Sequence, residues 1–149
     1  MLTLRKAAIL AASLSLACAT PAFADDAYPV EPGDYVSVSM ISIDDGHDLD
    51  YLNYLSGLWR RNQDYAKAQG WITGYEILSN DDKRPGEPDL YLVVRFKNFA
   101  DTAEGKRRSD LMRAQMKMTD AEMQAASADR AKYRHQMGSQ LLRALVWKK

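Results

Sequence analysis

Four stretches of strand character, separated by two helical ones, constrain this chain more than any other feature. Residues 35–43 (YVSVSMISI) alternate at period two and are rich in β-branched side chains, which predicts a strand. Asp44-Asp45-Gly46-His47 turns the chain, and Asp48 is placed to cap a helix, with Asp50 in the first turn where a carboxylate complements the helix dipole. That helix is expected to run to about Gln69, with Leu52, Leu55, Leu58, Trp59, Asn62 and Ala66 on one face and Gly70 as its terminator. Residues 72–79 and 90–99 (LYLVVRFKNF) predict a hairpin joined by the polar loop NDDKRPGEP. Residues 101–118 read as a helical piece interrupted by Gly105. Thr119-x-x-Glu122 is a capping box that opens a stronger helix to about Met137, ended by Gly138. Residues 140–147 (QLLRALVW) form the last predicted strand.

The order β-α-β-β-α-β, with its second helical region broken, predicts an α+β domain. The expected arrangement is ferredoxin-like: a four-stranded antiparallel sheet with helices on one face. Taking the most apolar alternate positions as the helix-facing set puts Val36, Val38, Met40, Tyr75, Ile77, Leu92, Val94, Phe96, Leu142, Ala144 and Val146 under the helices. The opposite face would then carry Tyr35, Ile41, Glu76, Leu78, Tyr91, Val93, Arg95, Arg143, Leu145 and Trp147. A patch that apolar and aromatic on an uncovered face marks an interface or a ligand groove.

The N-terminus predicts where the protein works. Arg5 and Lys6 precede an apolar run over residues 7–17, and Ala22-Phe23-Ala24 supplies a small-x-small cleavage site, so residues 1–24 read as an export signal. Removing them leaves 125 of 149 residues, enough for one domain at 35–149 behind a flexible leader at 25–34. It also removes Arg5 and Lys6 from a balanced 20 cations and 20 anions, leaving a net charge of −2. A mature surface of that sign carries no basic footprint for nucleic acid, and no later stretch is apolar enough to span a bilayer. The sole cysteine, Cys18, lies inside the signal; the mature chain would be free of thiols, as suits an oxidising compartment. Ser15-Leu16-Ala17-Cys18 offers the alternative of a lipoprotein site. The expected location is periplasmic or secreted.

Glu76, Arg95 and Arg143 are the candidate catalytic set, since this register brings them to one face from neighbouring strands. A carboxylate between two guanidiniums can hold an anion or an acid–base group; it can equally be a cross-strand ion-pair network. His47, among Asp44, Asp45, Asp48 and Asp50, lacks calcium-loop spacing and reads as a solvated turn, and His135 as a helix-end residue. Met112, Met116, Met118 and Met123 read as core filler rather than a soft-metal site. The chain has no nucleophile elbow, phosphate loop or zinc signature, so the expectation is a protein without metal or cofactor.

The stretch 35–147, including Trp71-Ile72-Thr73-Gly74-Tyr75-Glu76 and Pro88-Asp89-Leu90-Tyr91-Leu92-Val93, resembles the dimeric α+β-barrel superfamily. Antibiotic-biosynthesis monooxygenases and EthD-like proteins belong to that group. The resemblance implies a homodimer whose sheets pack face to face, and a pocket between sheet and helices near Trp59, Tyr65, Tyr75, Met112 and Met116. It implies an exported protein that binds a small apolar or aromatic molecule. The alternatives are a cofactor-independent monooxygenase or isomerase and a pocketless envelope interaction protein. Haem-degrading members carry an Asn on the first strand; this chain has Ser37 and Ser39 there.

Overall fold

The computed structural model describes residues 28–149; the signal read over residues 1–24, with Cys18, lies outside them. Strand β1 (Val30–Ile43) starts five residues before the alternation predicts. Val30, Glu31 and Pro32 of the expected leader pair with Trp147, Val146 and Leu145, and a bulge absorbs Gly33 and Asp34. Gly33 is required there: a Cβ would lie 2.8 Å from Cγ2 of Val146.

The first helical region is one rod in three parts: α1 (Asp48–Tyr54), a π segment (Leu55–Trp59) and α2 (Arg60–Ala68). His47, not Asp48, holds the N-cap position, and makes no side-chain cap. Gly70 follows the rod at φ +71°, the left-handed conformation expected of a terminator. The π segment widens one turn, which lets Tyr51 and Leu55 point into the core while Trp59 reaches β2 (Gly74–Ser79). Strand β3 (Leu90–Phe96) stops short of Phe99, whose ring folds back to 4.8 Å from Tyr35 and 5.1 Å from Phe96.

Residues 102–116 form a single helix, α3 (Thr102–Met116); Gly105 does not break it, because Asp101 caps its start and Glu104 ties down the Arg107 and Arg108 guanidiniums. Lys117, at φ +52°, turns the corner. The Thr119–Glu122 capping box then opens α4 (Asp120–Arg130) as read, with both reciprocal hydrogen bonds formed. This helix ends seven residues earlier than expected. Gly138 is not its terminator: it sits inside strand β4 (Arg134–Trp147) at φ +145°, opposite Met40, where the β1–β4 register slips past Met137. No described helix is long and apolar enough to cross a membrane.

The sheet is four-stranded and wholly antiparallel, in the order β2-β3-β1-β4. The chain is thus a small α+β fold compatible with a ferredoxin-like arrangement: each helical crossover skips one strand.

One core lies between the rod and the sheet, where Tyr51 and Leu55 pack on Ile41, Ile43 and Leu92. Tyr51 is buried enough that desolvation pushes its hydroxyl up to about 12. The other cluster, Val36, Val38 and Val93 with Tyr91 and Ala144, is built from strand residues alone. The assignment of faces is therefore half corrected. Tyr75, Ile77 and Leu92 face the rod as read, but in β1 Ile41 and Ile43 take that place, while Val36, Val38 and Met40 face away from it. Leu142 pairs opposite Val36, so the β4 set Leu142, Ala144 and Val146 turns away too.

Candidate functional site

The corrected register separates the three candidate catalytic residues. Glu76 and Arg95, diagonal neighbours on β2 and β3, share the face away from the helices, and Arg95 Nη2 donates to Glu76 Oε1 at 2.6 Å. Both side chains are 43% exposed, so the pair is a solvated cross-strand salt bridge. Arg143 does not join them. It lies opposite Tyr35 on the helix side, its guanidinium 4.0 Å from the Tyr35 ring centroid, and its Nε donates to the Gly33 carbonyl at 2.8 Å. Arg143 therefore pins the β1 bulge; the flipped face of β1, which β4 follows in register, is why it left the set.

Four of the five ligand-binding candidates divide between two clefts. Trp59 and Tyr75 meet edge to face at 5.4 Å and, with Leu52, Leu55 and Ile77, line a cleft of about 360 Å³ between the rod and β2. The Tyr75 hydroxyl donates to Asp64 at 2.5 Å, and that hydrogen bond raises its pKa. Met112 and Met116 line a larger cleft of about 480 Å³, together with Trp71, Arg108, Ser109 and Arg113, closed on the α4 side by Asp120 and Met123. Tyr65 lines neither; it buttresses Trp71 edge to face at 5.5 Å.

The larger cleft exists because α3 and α4 carry no fully buried residue. The helices meet at the Lys117 corner and are held there by Arg113, which reaches both oxygens of Asp120 at 3.0 and 3.1 Å and also contacts Asp110. Their methionines are therefore cleft wall rather than core filler. Met116 is fixed on its far side by Asn62, whose Nδ2 donates to the Met116 sulfur at 3.2 Å. Met116 and Met123 also border a smaller hollow of about 190 Å³ with Tyr54 and Leu58. A deformable thioether surface of this kind adapts to varied apolar shapes.

Trp71, absent from the candidate ligand-binding set, is the hub of the larger cleft. It is buried, its backbone N–H donates to the Ala66 carbonyl at 3.0 Å, and the Arg108 guanidinium carbon lies 5.5 Å from its ring centroid. Arg108 Nε donates to Glu104 at 2.7 Å. Hydrogen bonds from Arg107 and Arg108 hold the Glu104 carboxyl down to about 2. The signal for this pair was present: Trp71 directly follows the helix-ending Gly70, and Arg108 opens the α3 stripe Arg108-Met112-Met116. Only the packing of α3 across Trp71 joins them.

The two histidines serve the β1–α1 turn. His135 Nε2 shares a hydrogen bond with Asp44 at 2.9 Å, and His47 Nδ1 one with Asp50 at 2.9 Å, while the His47 ring stacks on Tyr133 at 4.9 Å. Comparison with known proteins finds no matching family model, no matching curated protein and no matching solved structure.

Proposed function

We propose that this is an exported small-molecule-binding protein of the dimeric α+β-barrel kind, with Trp71 and the methionines of α3 and α4 as its binding surface. The observation that carries the reading is the cleft of about 480 Å³, which falls in the size range of ligand sites and is walled by an indole and three thioethers. Binding rather than catalysis is favoured by the position of Glu76 and Arg95: they neutralise each other on the face away from the helices, so no acid–base group of the candidate set reaches the cleft.

The test is a titration with N-phenyl-1-naphthylamine, a neutral apolar fluorophore. Its emission should rise on binding, with energy transfer from Trp71. Met112→Glu, which places a charge in the cleft wall, should weaken binding by about tenfold or more while leaving the melting temperature nearly unchanged. Undiminished binding by that variant places the ligand elsewhere and sinks the proposal.

The dimer reading rests on the sheet. On the sheet face away from the helices, Leu142 and Val146 are exposed at 49% and 48% beside the buried strand-only cluster Val36, Val38 and Val93, with the Glu76–Arg95 pair alongside. A second copy docking there would cover those two exposed side chains. Native mass spectrometry of envelope-purified protein should show a dimer whose chain begins at Asp25, and Leu142→Asp should shift it to monomer. A wild-type monomer at tens of micromolar would rule out the dimer, and an intact residue 1–24 segment would rule out the cleaved export signal.

A further inference from the structure

We infer that the ligand is an anionic amphiphile, its apolar body lying along the methionine cleft and its compact anionic head meeting Arg108. The inference rests on the cleft reading above and adds the chemistry of the head group. The decisive geometry is that the methionine cleft does not end at Trp71. Trp71 and Arg108 also wall a second cleft of about 310 Å³, whose character is different: Thr73, Lys97 and Asn98 line it. One indole and one guanidinium are thus the seam between an apolar hollow and a polar one.

Charge decides what the polar hollow accepts. None of its lining residues is acidic, while Arg108 and Lys97 are both cationic. Lys97 is exposed and has no carboxylate partner among the described residues. Arg108 spends only its Nε on Glu104, and Glu104 also takes two hydrogen bonds from Arg107, so two guanidiniums share one carboxylate. The two terminal nitrogens of Arg108 find no hydrogen-bond acceptor among the described residues. Its plane is steadied over Trp71 and its remaining N–H groups are available in fork geometry, which suits a carboxylate or phosphate. In the apolar cleft, by contrast, the one acid, Asp120, is already held by both of its oxygens on Arg113. Asp34, not among the lining residues, accepts from Thr73 at 2.5 Å.

The experiment uses decanoate and 1-decanol, the same chain with and without a charged head, each displacing N-phenyl-1-naphthylamine from the protein. Decanoate should bind about tenfold more tightly than decanol, and its advantage should shrink with added salt. Arg108→Gln should cost decanoate far more than decanol and bring the two probes to about equal affinity. Lys97→Gln, a change at an exposed side chain, should weaken decanoate alone by about threefold, which keeps the test sound if Arg108→Gln perturbs folding. Equal affinity for the two probes overturns the anionic-head inference and leaves the apolar cleft standing. Failure of both probes to displace the fluorophore overturns both.

Discussion

Leu55→Ala should destabilise the protein by about 3 kcal/mol, a fall in melting temperature on the order of 10–15 °C. Leu55 is 1% exposed and sits where the π segment begins, enclosed by Ile41, Ile43, Tyr51 and Leu92. Truncation removes its contacts on all sides, and the neighbours come from two β-strands and a helix that cannot all move in to fill the gap. Leu52→Ala is the control. It lies one turn earlier on the same predicted apolar face but is 46% exposed, so its loss should cost well under about 1 kcal/mol. Urea melts of both variants give the comparison. Equal costs would mean that the core does not lie between the rod and the β1–β3 pair.

Asp89→Ala should cost about 2 kcal/mol at neutral pH, with part of the difference from wild type lost in acid. Asp89, just before β3, ties the end of β1 to the β2–β3 loop. Its Oδ2 accepts from the Ile43 N–H at 2.8 Å, its Oδ1 from Lys83 at 2.7 Å, and its own N–H donates to the Ile41 carbonyl at 2.8 Å. Partial burial by itself raises the Asp89 pKa, but hydrogen bonds from Lys83, the Ile43 backbone and Ser42 outweigh it and leave the pKa below the ordinary value of 3.8. A depressed carboxylate stabilises the fold above its unfolded pKa, and that stability is lost as pH falls through the folded pKa. Wild type and Asp89→Ala should therefore differ most at pH 7, and the gap should narrow as the pH falls through the depressed pKa of Asp89. Lys83→Met should matter much less, since Lys83 is a surface partner while Ile43 would be left with an unsatisfied N–H. A constant gap across the acid range would assign the loss to packing instead of the carboxylate.

How far the sequence reading reached depends on the strand. In β2 one alternate set is plainly polar or absent, Gly74 and Glu76 against Tyr75 and Ile77, so its helix-facing side is legible, and the hairpin register carries that side onto Leu92 of β3. In β1 Val36, Val38 and Met40 make the more apolar alternate set, because Ser37 and Ser39 interrupt the other, yet the rod covers the Ile41–Ile43 end of that other set. β4 followed β1, because Val36 faces Leu142 in the pairing. That single inversion sent Arg143 to the other face and dissolved the proposed triad, while Glu76 and Arg95, both on correctly read strands, met as expected. Gly138 shows the same limit from another side. Its positive φ serves a strand irregularity as well as a helix end, and nothing local distinguishes the two.

Local chemistry alone determined the element order, the Thr119–Glu122 box, the Gly70 stop and the presence of methionines at helical spacing, because each depends on neighbours within a turn or two. The tertiary structure decided which strand face the helices cover, that α3 crosses Trp71, and that Arg108 stands between an apolar and a polar hollow. Those are outcomes of long-range packing, where one-residue shifts at bulges reverse a face and where a helix finds its place by what the sheet leaves uncovered.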